Sequence, residues 1–263
     1  MGYDASMCRL ASYLGPELAL SRFLVEPPHS LVEQSWRPRE MTTGRLNADG
    51  YGLGWNACDG APARLTYPMP IWTDVNLVSL GRSLRSNLWL GIVRSATPGF
   101  PAHHANTQPF IRESLLFLHN GHIEHFLRIV RGRIRRMLDE DIEASIDGTT
   151  DSEYLFALLC QITRRDQCTL AEALRELART IGKYGDGAAL LNVIVTDGAT
   201  LYAMRHATGA PAPTLYFTDN DDAFPGGVLI CSEPLTPSSG WRPAPEHSLL
   251  ILKPERKPEV IAL

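Results

Sequence analysis

Short apolar runs typical of β-strands fall into two groups along this chain, and a helix-rich stretch separates the groups. The first group of predicted strands covers residues 8–14, 51–58, 88–95 and 114–118, with a short helix over 74–84. Two further helices are predicted over 152–163 and 169–181, after apolar residues at helical spacing between 126 and 138. The second group of strands covers residues 188–196, 200–205, 215–218, 228–231 and 249–252. This order predicts an α+β fold in which two sheets lie face to face with helices outside them.

Two local signals sharpen the boundaries of these elements. Thr169 and Glu172 have the spacing of a capping box, which predicts that a helix begins directly after Thr169. Asp197-Gly198 lies between two apolar runs and predicts a tight hairpin between two strands.

Composition excludes several classes of protein. The chain has 263 residues, of which 44% are hydrophobic, so it can bury a substantial core. We assign residues 1–7 to an N-terminal extension or start-site remnant and residues 8–263 to a single domain. A net charge of −4 and the lack of a long apolar run argue against nucleic acid and membrane as partners. Five cysteines without a C-x-x-C pair favour a reducing cytoplasm over a disulfide framework.

Cys8 is the first candidate for covalent chemistry. A cysteine attacks as its thiolate, so it needs a base or a positive environment near it. A histidine elsewhere in the fold could be that base. The dipeptide Met7-Cys8 offers another, because a chain that begins at Cys8 has a free α-amine with a pKa near neutral. The alternative is that Cys8 is a small buried residue of a strand.

Three further stretches carry polar residues at the ends of predicted elements. Arg94 ends a buried strand and could bind a carboxylate, or it could form a surface ion pair. Asn120-Gly121 ends another strand and could supply two oxyanion donors, or it could be a simple turn. Asp151 precedes a helix and could bind an ammonium group, or it could be only the N-cap.

Together these stretches resemble the class II glutamine amidotransferases of the N-terminal nucleophile fold. The family has four short motifs, and here they occur in order as Met7-Cys8, Arg94-Ser95-Ala96-Thr97, His119-Asn120-Gly121 and Asp151-Ser152-Glu153. The resemblance covers most of the chain and implies a four-layer αββα sandwich of two antiparallel sheets.

Other stretches look like a narrower branch of that family, the stand-alone amidohydrolases of ergothioneine biosynthesis. They are Pro27-Pro28-His29-Ser30-Leu31, Gln34-Ser35-Trp36, residues 47–55, Ile71-Trp72-Thr73-Asp74 and Ser232-Glu233-Pro234-Leu235. Enzymes of this branch remove glutamate from a γ-glutamyl intermediate.

The resemblance implies a role for each catalytic residue. Cys8 would attack the γ-carbonyl carbon, and its own α-amine would act as the general base through a water molecule. The side chain of Asn120 and the N–H of Gly121 would hold the oxyanion. Water would then hydrolyse the γ-glutamyl thioester.

The same resemblance implies a set of substrate-binding residues. Arg94 would bind the α-carboxylate of the glutamyl group, and Asp151 would take its α-ammonium. Thr97 would help to position the glutamyl group, and His119 belongs to the same set. A zwitterionic head group would thus meet one cation and one anion of the protein.

Two departures from the family pattern affect this prediction. The family usually has glycine after the nucleophile, whereas this chain has Arg9, as the narrower branch also does. Residues 1–6 precede Met7, so activity requires a start at Met7 or removal of a propeptide, and otherwise the protein is inactive as written. His119, His122 and His125 are spaced by three, but the resemblance accounts for His119 and we expect no metal and no cofactor.

The leading hypothesis is a hydrolase that releases glutamate from a γ-glutamyl conjugate, with γ-glutamyl-hercynylcysteine sulfoxide as the substrate that the resemblance implies. One alternative is a glutaminase subunit that passes ammonia to a partner synthase. Another is a catalytically silent binding module of the same fold. Distal specificity would come from loops such as residues 27–36 and 70–76, and the sequence leaves open whether the chain forms a homo-oligomer.

Overall fold

Two antiparallel sheets form the centre of the computed structural model, which describes residues 7–41, 46–96 and 99–263. In chain order the strands are β1 (Arg9–Ala19), β2 (Tyr51–Asn56), β3 (Pro62–Tyr67), β4 (Arg85–Val93), β5 (Phe110–Arg112), β6 (Leu115–Ile123), β7 (Ala189–Thr196), β8 (Leu201–Thr208), β9 (Tyr216–Thr218), β10 (Val228–Cys231), β11 (Arg242–Pro243), β12 (Ser248–Leu252) and β13 (Glu259–Ala262). The seven-stranded sheet has the order β11-β9-β10-β1-β4-β2-β3. The six-stranded sheet has the order β13-β12-β8-β7-β6-β5.

The two sheets pack face to face through alternate residues of their central strands. Leu10 and Leu14 of β1 lie in the core between the sheets, opposite Leu116 and Leu118 of β6. Because successive side chains of a strand point to opposite faces, Tyr13 of β1 lies on the outer face instead. Both faces of these strands are therefore buried in this region.

Helices cover the outer face of each sheet. In chain order they are α1 (Leu20–Leu24), α2 (Leu31–Trp36), α3 (Leu77–Ser83), α4 (Arg131–Arg135), α5 (Glu140–Glu143), α6 (Asp151–Asp166) and α7 (Leu170–Tyr184). The first three contribute to the core on the seven-stranded sheet, whereas α6 and α7 pack on the six-stranded sheet. The predicted four-layer αββα sandwich is therefore confirmed.

Both local signals in the sequence are confirmed. The Thr169 hydroxyl accepts the N–H of Glu172, and the Glu172 carboxylate accepts the N–H of Thr169, so α7 begins with a capping box. β7 and β8 form an antiparallel hairpin in which Thr196 pairs with Leu201. Gly198 in its turn has φ of +90°, a conformation that favours glycine.

Three local predictions were wrong. Residues 27–36 and 70–76 were expected to be loops, but they contain α2 and a 3₁₀ helix at Ile71–Thr73. The periodic stretch from residue 126 to 138 was expected to be one helix. It begins as a π-helical turn at Phe126–Val130, because the His125 carbonyl accepts the N–H of Val130 as well as that of Ile129, and it continues as the short α4.

Gly52 of β2 lies against the backbone of the loop that precedes β5 of the other sheet. An added Cβ at Gly52 would lie 1.7 Å from the carbonyl oxygen of Gln108, which is backbone and cannot move aside locally. Gly54, two residues on, would bring a Cβ to 2.9 Å from the ring of Pro109. These glycines therefore allow close packing of the sheets.

We predict that Gly52→Ala lowers the free energy of unfolding by about 3 kcal/mol or more, because the added methyl group overpacks a backbone contact. Urea unfolding followed by circular dichroism measures this change. The matched control is Gly182→Ala in α7, where nothing lies within 4 Å of the added Cβ. That control should be stabilised by about 0.5–1 kcal/mol. Equal effects of the two substitutions would contradict the packing argument.

Candidate active site

The predicted nucleophile and the predicted oxyanion residue come from different sheets and face the same interior space. Cys8 directly precedes β1 and packs against the core between the sheets. Asn120 of β6 shares a face with Leu116 and Leu118, which lie in that core. Asn120 is fully buried.

A cleft of about 370 Å³, open solvent included, lies at this end of the two sheets. Its walls are formed by Cys8, Arg94, Ser95, Phe100, Asn106, Gln108, His119, Gly121, Thr150, Asp151 and Ser152. The structure thus brings together five of the seven predicted site residues. Asn120 is buried without lining the cleft, and Thr97 lies outside the described residues.

The Cys8 thiol is in an environment that favours its protonated form. Its Sγ donates a weak hydrogen bond to the carbonyl of Ser95, 3.8 Å away. Burial raises the pKa of the thiol, and this effect outweighs the opposing influence of the Ser95 contact and of the nearby arginines. The thiol therefore needs a base to become a nucleophile at neutral pH.

Arg94 is a buried cation whose contacts are all neutral. Its guanidinium donates to the carbonyls of Phe100 (3.0 Å), Pro101 (3.2 Å) and Asp49 (3.4 Å). Within the described part of the chain it makes no salt bridge. Burial lowers the pKa of Arg94 from its very high usual value, and the charges of Asp49 and Asp151 oppose this effect. An anion in the cleft would supply the missing counter-charge.

Asp151 is held at the first residue of α6 by backbone contacts. One carboxylate oxygen accepts the N–H of Ile123 at 2.9 Å, and the other accepts that of Ser152 at 2.8 Å. The N-cap of this helix is Thr150, whose hydroxyl accepts the N–H of Glu153. The alternative that Asp151 is the N-cap is therefore wrong, and its carboxylate instead joins the end of β6 to α6 at the wall of the cleft.

His119 uses both ring nitrogens for contacts within the protein. Its Nε2 donates to the carbonyl of Leu190 at 2.9 Å, which leaves Nδ1 to accept the hydroxyl of Ser152 at 2.8 Å. Burial lowers the pKa of His119, although the charge of Asp151 opposes this. The neutral ring joins β6, β7 and α6. No group of three or more metal-binding side chains was found among residues 7–41, 46–96 and 99–263.

Asn120 and Gly121 lie in a regular strand and not in a tight turn. They pair with Asn192 and Leu191 of β7. A Cβ at Gly121 would lie 1.8 Å from the carbonyl oxygen of Leu190, so only glycine fits at this position.

Three residues stabilise the site although no role was predicted for them from the sequence. The side chain of Gln108 accepts the N–H of His119 at 2.5 Å and donates to its carbonyl at 2.9 Å. The side chain of Asn106 accepts the N–H of Thr149 at 2.8 Å and so fixes the loop before α6. The hydroxyl of Ser232 accepts from the side chain of Asn120 at 3.4 Å. Only Ser232 carried a signal, since it lies in one of the stretches that resemble the narrower branch.

A family profile described as glutamine amidotransferases class-II matches residues 23–257. The chain belongs to this family. The matched segment contains Arg94, Asn120 and Asp151 and begins after Cys8.

Curated members of the family resemble the chain over most of its length. The γ-glutamyl-hercynylcysteine sulfoxide hydrolase of Mycobacterium tuberculosis is 34% identical over 93% of this chain and 92% of its own length. The same-named protein of Mycolicibacterium smegmatis is 30% identical over 93% of this chain and 95% of its own. The probable glutamine amidotransferase DUG3 of Saccharomyces cerevisiae is 30% identical over 94% of this chain and 82% of its own.

Two solved structures of glutamine-dependent enzymes share the fold. A glutamine aminotransferase class-II domain protein from Silicibacter pomeroyi aligns with a TM-score of 0.69 at 24% identity, over 97% of this chain and 100% of its own. Glutamine phosphoribosylpyrophosphate amidotransferase from B. subtilis aligns with a TM-score of 0.65 at 16% identity, over 97% of this chain and 49% of its own. Among the described residues, no helix is long and apolar enough to cross a membrane.

We predict that a protein which retains residues 1–7 reacts slowly at Cys8 with iodoacetamide at pH 7, because burial raises the pKa of the thiol. The rate should continue to rise with pH beyond about pH 8.5, where the alkylation rate of a free cysteine levels off. Peptide mass spectrometry measures this rate, with the exposed Cys58 of the same sample as the reference. Alkylation of Cys8 that is as fast as that of Cys58 at pH 7 would contradict the prediction.

Proposed function

We propose that the protein is a hydrolase that cleaves the γ-glutamyl amide bond of a γ-glutamyl conjugate and releases glutamate through a cysteinyl thioester. One observation carries this proposal. The cleft beside Cys8 contains two buried side chains of opposite charge. Arg94 is a cation without a carboxylate partner in the described structure, and Asp151 is a carboxylate. This pair of opposite charges complements the zwitterionic head group of a γ-glutamyl compound. Curated relatives at 30–34% identity carry the name of such a hydrolase.

Recognition of the head group follows from the two charges. Arg94 donates to the α-carboxylate, and a charge-assisted contact of this kind is stronger than a neutral hydrogen bond. Asp151 accepts the α-ammonium while its backbone contacts keep the carboxylate in place. Thr97 and His119 complete the glutamyl site. Both charges are buried, so the substrate is recognised in a medium that screens them less than water does.

The chemistry needs a base close to the Cys8 thiol. When Cys8 is the first residue of the chain, its α-amine has a pKa of about 7.7–8.0 and can take the thiol proton through a water molecule. The sulfur then bonds to the γ-carbonyl carbon, and the carbonyl oxygen becomes an oxyanion held by the Asn120 side chain and the Gly121 N–H. The amine leaves with the proton, and water cleaves the thioester to give glutamate and the free thiol.

Glutamine is the second candidate substrate, because the yeast relative of similar identity is named a probable glutamine amidotransferase. Glutamine carries the same head group and differs only in its leaving group, which is ammonia. A glutaminase subunit would pass that ammonia to a partner synthase. The five cysteines are all free thiols, which fits a reducing cytoplasm as the site of the reaction.

We expect a chain begun at Met7, with that methionine removed, to release glutamate from γ-glutamyl-hercynylcysteine sulfoxide faster than from glutamine. The measurement is glutamate release from a panel of γ-glutamyl compounds, with mass spectrometry to confirm that Cys8 is N-terminal. The chain that retains residues 1–7 should be inactive, because its Cys8 nitrogen is an amide and cannot act as a base.

The control is Cys8→Ala, which should abolish turnover without changing the melting temperature by more than a few degrees. Glutamate release at the normal rate by Cys8→Ala would refute the thioester mechanism. A preference for glutamine that increases when a partner protein is added would favour the glutaminase alternative. Inactivity of both chains on every compound would favour the silent binding module.

We predict that Arg94→Ala raises KM for every γ-glutamyl substrate by about 10–100-fold, because a hydrogen bond between charged groups contributes about 1.5–3 kcal/mol. The turnover number should change much less, since the head group is bound equally in the ground state and the transition state. Initial rates over a range of substrate concentrations separate the two constants. The matched control is Arg112→Ala, an arginine outside the cleft that pairs with Asp141 and should leave KM unchanged. An unchanged KM in Arg94→Ala would exclude Arg94 from substrate binding.

A further inference from the structure

Ser232 and Glu233 directly follow β10, and both side chains are almost completely buried. Neither side chain lines the cleft. Ser232 nevertheless contacts the predicted oxyanion residue, and Glu233 contacts the residue that follows the nucleophile. This dipeptide is therefore connected to both sides of the site without touching the space where a substrate would lie.

The Glu233 carboxylate accepts four hydrogen bonds. They come from the Arg9 Nε (2.6 Å), the His29 Nε2 (2.6 Å) and the backbone N–H groups of Arg39 (2.9 Å) and Glu40 (3.1 Å). Burial alone would raise the pKa of Glu233, but these hydrogen bonds and the charge of Arg9 lower it to about 2. The carboxylate is therefore ionised at neutral pH and holds Arg9 firmly.

Arg9 carries this restraint to the nucleophile. Its Nη1 donates to the backbone carbonyl of Cys8 at 2.9 Å, while its Nε is bound to Glu233. Only 1% of Arg9 is exposed, so the surrounding protein restricts its side chain to this conformation. Fixing the Cys8 carbonyl restricts the backbone rotation that would turn the thiol and the α-amine away from the cleft.

Ser232 connects the two sheets next to Cys8, through β1 of one sheet and β6 of the other. Its hydroxyl oxygen accepts the N–H of Leu10 in β1 at 3.1 Å and the Nδ2–H of Asn120 in β6 at 3.4 Å. The Oδ1 of Asn120 is buried without a partner among the described residues. Ser232 therefore holds the Asn120 amide through one Nδ2 hydrogen. Since Nδ2 has two hydrogens, one remains available for an oxyanion.

We propose that Ser232 and Glu233 are positioning residues that set the nucleophile against the oxyanion donor. Glu233 acts through Arg9 on the Cys8 carbonyl, and Ser232 acts directly on the Asn120 amide. The effects on turnover that we expect from this inference rest on the proposed hydrolase function. Among the described residues, the strands of the two sheets share no backbone hydrogen bonds, so the distance between Cys8 and Asn120 depends on side-chain contacts of this kind. A misplacement of 1 Å is enough to slow an enzyme by about 100-fold.

The first test compares Ser232→Ala with Ser12→Ala in the chain that begins at Cys8. Ser12 is also fully buried, and its hydroxyl also connects β1 to β10, through the Ile230 carbonyl at 3.2 Å, but it does not contact Asn120. We expect Ser232→Ala to lower kcat by about 10–100-fold, less than the complete loss of an oxyanion donor. KM should stay within about twofold in both variants, and kcat within about twofold in Ser12→Ala.

The second test compares Arg9→Lys with Arg205→Lys. Lysine keeps the charge that Glu233 needs but cannot bind Glu233 and the Cys8 carbonyl at once with the fixed geometry of a guanidinium. We expect kcat to fall by about tenfold in Arg9→Lys, with little change in KM. Arg205 also binds backbone carbonyls, those of Pro213 and Ala244, but lies on β8, so its substitution should leave kcat unchanged.

Labelling with a glutamine-like diazoketone, 6-diazo-5-oxo-L-norleucine, tests the positioning roles independently of the proposed hydrolase function. The Cys8 sulfur bonds to the diazo-bearing carbon, that carbon takes the thiol proton and N₂ leaves, so labelling needs no hydrolysis. Mass spectrometry should show labelling of Cys8 that is at least about tenfold slower in Ser232→Ala than in the parent, since a misplaced nucleophile or oxyanion donor costs at least that much. If the parent is labelled but shows no turnover, and Ser232→Ala is labelled at least about tenfold more slowly, the hydrolase proposal is wrong and the positioning roles are supported.

Two outcomes would overturn the positioning roles. One is normal turnover and normal labelling in Ser232→Ala and Arg9→Lys. The other is an equal loss of kcat in each variant and its matched control, which would mean that general loosening of the fold, and not placement of Cys8 and Asn120, is responsible.

Discussion

The candidate site depends on the packing of two sheets whose described strands share no backbone hydrogen bonds. Cys8 and Arg94 lie at the ends of β1 and β4 in one sheet, whereas Asn120 and Asp151 belong to β6 of the other sheet and to the helix that covers it. The apolar core between the sheets therefore sets the coarse separation of the two halves. Because protein interiors are closely packed, a glycine such as Gly52 also affects the site, since it packs against the backbone of Gln108, which lines the cleft.

Electrostatics within the cleft follows from burial. Arg94 is surrounded by carbonyl dipoles that solvate its charge but do not neutralise it. Asp151 is solvated in the same way by backbone N–H groups, and burial keeps His119 neutral. The protein has already desolvated a cation and an anion during folding. A zwitterionic head group would then meet charges that need little reorganisation, which is how buried polar sites favour one ligand over water.

The sequence predicted those features that depend on neighbours along the chain. The apolar runs next to Cys8, Arg94 and Asn120 were recognisable as strands. Cys8 and Arg94 do lie at strand ends, but the prediction for Asn120 was wrong, because β6 continues to Ile123. Helix α2 was missed because six residues are too few to show helical periodicity. The part played by Ser232 was not readable, since it contacts Asn120 across 112 positions of sequence. Gln108 binds the backbone of His119 from a loop that carries no periodic signal.

The burial that creates the site also explains why the residue before Cys8 matters. Removing water from the thiol protects a thioester from adventitious hydrolysis, yet it raises the pKa of the thiol and weakens the nucleophile. In the described structure the imidazole of His119, which lines the same cleft, has both nitrogens engaged by other protein groups and cannot serve as the base. An α-amine on Cys8 would place a base of suitable pKa next to the sulfur without adding another buried side chain. The peptide bond to Met7 turns that amine into an amide, so cleavage of one bond would convert a partly buried cysteine with a raised thiol pKa into a nucleophile.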